Sequence, residues 1–169
     1  MANSDRRRFL KLLAAVVGSA AAAVTSLPVL GAILTPLLKK KDDDGSVLHA
    51  LAEKDLAVGV PRRVELVATV IDTWTRSVGV VGAAWLLKTP DGKITALSTI
   101  CPHSGCSIGQ QSKNTYSCPC HKSLFALDGT PQEGPSPRPM DPLPVELKDG
   151  AVWVKWLRYK VGVKEQKIL

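Results

Sequence analysis

Two six-residue stretches, Cys101-Pro102-His103-Ser104-Gly105-Cys106 and Cys118-Pro119-Cys120-His121-Lys122-Ser123, hold all four cysteines of the chain and two of its three histidines. Cys-x-His in the first and Cys-x-x-His in the second each put a thiol and an imidazole into one tight loop. Two thiolates and two imidazoles suit a tetrahedral zinc ion, and the same donors suit an iron–sulfur site of mixed ligation. A glycine in the first loop, Gly105, allows the backbone to approach a cofactor closely. As metal chemistry alone, Cys101, His103, Cys118 and His121 leave both readings open. A zinc-stabilised binding module gives no role to Cys106 and Cys120, which sit beside the ligands, nor to Ser123.

The rest of the chain must hold this site. Residues 47–169 read as a small, mainly antiparallel β domain. Val64–Ile71 is rich in β-branched residues, and Val78–Leu87 is an apolar run suited to a strand buried on both faces. Pro90-Asp91-Gly92 is a turn signal that returns the chain along Ile94–Ser98. Val152–Tyr159 is a further strand after the Asp149-Gly150 turn. Helical periodicity is scarce there, the best candidate being a short turn over His49–Lys54. Trp74, Trp85, Trp153 and Trp156 lie in aliphatic strand sequence and are expected in or beside the sheet core.

Upstream, the 27 residues from Leu12 to Leu38 carry no charge, more than the ~20 that span a hydrocarbon core. Residues 1–38 are therefore expected to form a signal and transmembrane anchor, with Pro28 a kink and Pro36 the end of the helix. Residues 39–46, Lys-Lys-Lys-Asp-Asp-Asp-Gly-Ser, read as a polar hinge. Arg6-Arg7-Arg8-Phe9-Leu10-Lys11 resembles the twin-arginine export motif, which carries folded proteins and so suits one that acquires its cofactor in the cytoplasm. These features imply a single-pass protein of the bacterial cytoplasmic membrane, with its N-terminus inside and its head outside. The formal charge of +7 divides into +3 over residues 1–11, zero over 39–44 and +4 over 45–169. So thin a spread over the head excludes a nucleic-acid binder, which needs a concentrated basic stripe.

Cys-x-His-x-Gly-Cys followed by Cys-x-Cys-His-x-Ser resembles the two boxes of the Rieske iron–sulfur proteins of cytochrome bc-type complexes. The likeness extends to the anchor, the β head and Gly134-Pro135-Ser136-Pro137-Arg138-Pro139, which is similar to the proline loop covering the cluster in that family. It implies one [2Fe-2S] cluster per chain, with Cys101 and Cys118 on the buried iron and His103 and His121 on the outer one. It also implies a Cys106–Cys120 disulfide, worth on the order of 3 kcal/mol in the chain-entropy model. His121 would meet the quinol. Ser123 would donate to a cluster sulfide.

Phe125 stands where respiratory relatives often carry tyrosine. Losing that hydroxyl implies a lower potential and a low-potential quinol such as menaquinol. Lys122, where glycine is usual, and Ser104, where an apolar residue often sits, also depart from the pattern. The implied partners are a cytochrome b-type subunit, a cytochrome c-type haem protein, a membrane quinol and the bilayer. The chain would act as a redox subunit of a quinol:cytochrome c oxidoreductase. The rival within the family is the small Rieske subunit of a molybdenum oxidase such as arsenite oxidase.

Overall fold

The computed structural model describes residues 2–38, 45–72 and 75–169, and the chain divides into two compact units, 1–42 and 43–169. Most of the expected hinge, 39–44, and Trp74 lie outside the described residues. In the first unit a single helix, α1 (Ala2–Leu38), continues past Pro36 and ends two residues later than the sequence suggested. Every described side chain from Ser4 to Leu34 is exposed, and that segment has a mean hydropathy of 1.9. Its 31 residues, at about 1.5 Å each, exceed a hydrocarbon core of about 30 Å. The helix is long and apolar enough to cross a membrane, and it fits a single-pass anchor.

The second unit is built of short strands: β1 (Val47–Ala52), β2 (Arg62–Asp72), β3 (Thr75–Lys88), β4 (Ile94–Ser98), β5 (Gly109–Ser112), β6 (Thr115–Ser117), β7 (Leu124–Ala126), β8 (Pro131–Glu133), β9 (Pro142–Leu143), β10 (Val145–Lys148) and β11 (Ala151–Lys155). They form three sheets, ordered β1-β11-β10, β2-β3-β4-β9 and β5-β6-β7-β8. All of these pairings are antiparallel.

The middle of the second sheet separates two cores. Strand side chains alternate between faces. Ala84, Leu86 and Ala96 accordingly join Leu66, Val152, Val154 and Trp156 on one side. Trp85 and Leu97, a cross-strand pair, face the other way and pack with Cys101, Ile108, Tyr116, Cys118, Phe125 and Met140. This second core is the floor of the two cysteine-rich stretches. Trp85 is fixed in it by donating from Nε1 to the Ile108 carbonyl at 3.1 Å.

Three local expectations are corrected. His49 lies on a strand, because β1 pairs with β11 and its helix-like turn shrinks to a 3₁₀ turn at Glu53–Asp55. The last strand stops at Lys155: Trp156 leaves the ladder to fill the space over Gly82, where a Cβ would stand 2.2 Å from the indole. Only Ala83–Leu86 of β3 is buried on both faces; Val78 and Val80 are exposed, because that end of the β2–β3 ribbon projects beyond both cores.

Candidate metal centre

The two cysteine-rich stretches fold as the same turn. In the first, Cys101 N donates to Cys106 O at 2.8 Å and Gly105 N to Cys101 O at 2.9 Å. In the second, Cys118 N donates to Ser123 O at 2.8 Å and Lys122 N to Cys118 O at 3.0 Å. The fifth residue of each has a positive φ, +82° at Gly105 and +57° at Lys122. A left-handed turn there costs glycine nothing and any other residue about 1–2 kcal/mol. Lys122 therefore occupies a glycine's place at a cost that the surrounding hydrogen bonds offset.

Matching turns put matching groups together. Cys101 and Cys118 are free thiols, 0% and 1% exposed, at the floor. His103 and His121 rise from the two loops with ring centroids 4.7 Å apart and planes near perpendicular at 88°. His103 is half-buried and His121 exposed. Burial pushes the Cys101 thiol up to about 11, with the neighbouring Cys118 thiol adding to the rise. Left as a thiol this group is inert at neutral pH, and a bound metal ion would take the place of its proton.

The residues present fit a bound metal group. Among the described residues, three buried side-chain atoms lack any hydrogen-bond partner: His103 Nδ1, Ser123 Oγ and Tyr116 Oη. Buried polar atoms are rarely left so, and all three belong to the ligand loops or the core beneath them. Cys106 and Cys120 are joined as a disulfide that ties one loop to the other. Their sulfurs and that of Cys118 lie within 4.8 Å of one another. Two of those three are already bonded to each other, so the trio is a brace against the buried thiol and not a ligand set.

The proline-rich segment closes over the second loop. Gly134 has φ +89°, and a Cβ there would lie 2.5 Å from Ser123 Cα and 2.9 Å from Lys122 O. Pro135 is exposed and Pro137 half-buried. Gly134→Ala is expected to force this segment off the loop, lowering the melting temperature and the iron content of purified protein together. Gly150→Ala, at φ +70° with open space around it, is the control that carries only the left-handed penalty.

Three features of the site were missed in the sequence. Tyr116, two residues before Cys118, looked like ordinary strand; burial lifts its phenol to about 12. Arg138 is buried, forks onto Asp141 through Nε–Oδ1 at 2.9 Å and Nη2–Oδ2 at 2.8 Å, and donates from Nη1 to the Val163 carbonyl. The C-terminal residues reach the first loop, Gly162 N donating to Pro102 O at 2.8 Å. An arginine three residues before an aspartate was the only signal for any of these.

Residues 47–149 match the family model described as a Rieske [2Fe-2S] domain. The chain is 32% identical over 154 residues to the "Menaquinol:cytochrome c reductase iron-sulfur subunit" of Geobacillus thermodenitrificans, covering 88% of this chain and 89% of that one. It is 33% identical to the protein of the same name from Bacillus subtilis, over 89% and 90%. It is 29% identical to the "Cytochrome b6-f complex iron-sulfur subunit" of Chlorobaculum tepidum, over 89% and 75%.

Proposed function

The chain belongs to the Rieske [2Fe-2S] domain family, and on that premise we propose that it is the membrane-anchored electron carrier of a menaquinol-oxidising, cytochrome bc-type complex. The observation that carries this reading is the pair of matched turns, each presenting one buried thiol and one imidazole, with the second imidazole at the surface. The names of the two Bacillaceae relatives support menaquinol as donor and a c-type haem as acceptor, and they favour a bc-type complex over a molybdenum oxidase. A zinc module gives way to family membership, which brings a [2Fe-2S] cluster as cofactor. The subunit carries electrons; the oxidoreductase is the whole complex, with a cytochrome b-type subunit beside it.

In this reading Cys101, Cys118, His103 and His121 would hold the cluster, the two thiols on one iron and the two imidazoles on the other. When bound, the cluster supplies one-electron chemistry at a potential raised by neutral imidazoles in place of thiolates. The side chains do the rest. His121, exposed, would present its outer ring nitrogen to the quinol hydroxyl, and only with that nitrogen deprotonated would it accept the quinol proton, the electron passing to the bound cluster. His103, half-buried and edge-on to His121, fixes the second coordination arm. Ser123 Oγ, buried without a protein acceptor, would have its hydroxyl free to donate to a cluster sulfur. Gly134 packs on the backbone of Lys122 and Ser123 and so covers the base of the second loop.

Phe125 is fully buried opposite Tyr116 and offers no hydroxyl. Phe125→Tyr is therefore expected to raise the midpoint potential. A hydrogen bond about 1 kcal/mol stronger in the reduced state corresponds to about 40 mV for one electron. A redox titration followed by electron paramagnetic resonance measures it, and an unchanged midpoint would remove the ground for a lowered potential.

The N-terminal helix fits an anchor, and Arg6-Arg7 with Phe9-Leu10-Lys11 supports twin-arginine export, with the N-terminus in the cytoplasm by the positive-inside rule. The deciding experiment is resonance spectroscopy of the reduced protein with titration across pH. A paramagnetic centre whose midpoint falls as pH rises supports imidazole-linked proton and electron transfer. A silent protein would sink the reading.

A further inference from the structure

The C-terminal residues form a closed turn outside the two cysteine-rich stretches. Tyr159 pairs with Ile168, Lys160 N donates to Lys167 O at 2.8 Å and Leu169 N to Arg158 O at 2.9 Å. The tip of this closed turn rests on the first ligand loop. Gly162 N holds Pro102 O at 2.8 Å. A Cβ at Gly162 would stand 3.7 Å from His103 O, and one at Gly105 4.0 Å from Val161. Arg138 grips the same turn through the Val163 carbonyl.

Its charge is what sets it apart. Residues 158–169 carry Arg158, Lys160, Lys164 and Lys167 against Glu165, a net +3. Lys122, on the second ligand loop, adds one. The head over residues 45–169 has 15 basic and 11 acidic residues; without these six residues it has 10 of each. The excess of positive charge is therefore matched by the C-terminal turn, whose Gly162 touches the first ligand loop, together with Lys122 on the second, and all five cations are exposed.

We propose that this cationic rim is the docking surface for the electron acceptor, a haem protein that presents an acidic face around its exposed haem edge. The proposal rests on the electron-carrier reading. A field of one sign, set beside the group that must pass the electron, raises the encounter rate and orients the partner, by tenfold or more in favourable cases. A carrier neutral elsewhere gains that steering only if the partner's charge is opposite.

The test is stopped-flow reduction of two soluble c-type cytochromes, one acidic and one basic, by the reduced full-length holoprotein in detergent. The acidic cytochrome is expected to react faster, with a rate that falls as salt rises. Lys160→Glu/Lys164→Glu/Lys167→Glu should cut that rate about tenfold and flatten its salt dependence, while the cluster's spectrum stays unchanged. Lys122→Gly, which removes the charge at a positive φ that glycine adopts freely, should lower the rate in the same direction with the cluster's spectrum unchanged.

Equal rates with both cytochromes, or a triple variant with an unaltered salt slope, would overturn the proposal. So would a rim that faces lipid, seen as lysines shielded from acetylation in phosphatidylglycerol but not phosphatidylcholine bilayers. Transfer to neither cytochrome from a protein with an intact cluster signal rejects this surface while leaving the quinol side standing. A missing cluster signal brings down the electron-carrier reading and the surface with it.

Discussion

Replacing Arg138 by methionine is expected to destabilise the head domain by about 3–5 kcal/mol. The guanidinium is buried, and both of its outer edges are committed: Nε and Nη2 fork onto Asp141, and Nη1 holds the Val163 carbonyl. Removing it leaves the Asp141 carboxylate 1% exposed without a counter-charge. That uncompensated charge, more than any lost attraction, is the source of the penalty. Arg138→Met/Asp141→Leu is therefore expected to recover most of the loss, since an apolar pair of similar volume needs no solvation.

Chemical denaturation of the wild type, the single variant and the double variant measures all three. A double variant as unstable as the single one would show that the Val163 contact, and not the stranded carboxylate, dominates. Either way the first ligand loop is affected. Arg138 holds the turn whose Gly162 N is bonded to Pro102, so cluster retention should fall in the single variant.

The sequence made the site legible where a pattern is local. Cys-x-His and Cys-x-x-His name their own loops, and the glycine at position 105 marks a left-handed turn. Long strands were legible for the same reason: β2 and β4 lie close to where their β-branched and alternating residues put them. Contacts made across sequence were not. Nothing local says that Trp156 must leave its strand to cover Gly82 74 positions earlier, or that Arg138 will find a carbonyl at Val163. The equivalence of the two loops was hidden too, because Lys122 stands where its partner loop has glycine. Only the hydrogen bonds reveal it.

Replacing both Cys106 and Cys120 by serine is expected to lower stability by about 3 kcal/mol, the chain-entropy cost of freeing a loop of this size, whose ends are 14 residues apart. For a domain of this length that corresponds to a fall in melting temperature on the order of 10 °C. The effect on the site follows from how the loops are made. Each turn closes on its own backbone bonds, so each should persist when the disulfide is gone. What is lost is the covalent tie that holds the second turn against the first.

In the proposed reading, with the thiols at 101 and 118 on opposite loops, a bound cluster becomes the covalent link that remains between them. The variant should therefore bind the cluster with a normal spectrum at low temperature and lose it at a lower temperature than the wild type. Circular dichroism in the visible range, followed during heating, separates cluster loss from unfolding monitored in the far ultraviolet. Cluster loss that precedes unfolding identifies the disulfide as a brace on the site. Coincident transitions, both lowered, would make it a stabiliser of the whole head instead. An unchanged melting temperature would contradict the entropic account of why this domain carries two cysteines that bind no metal.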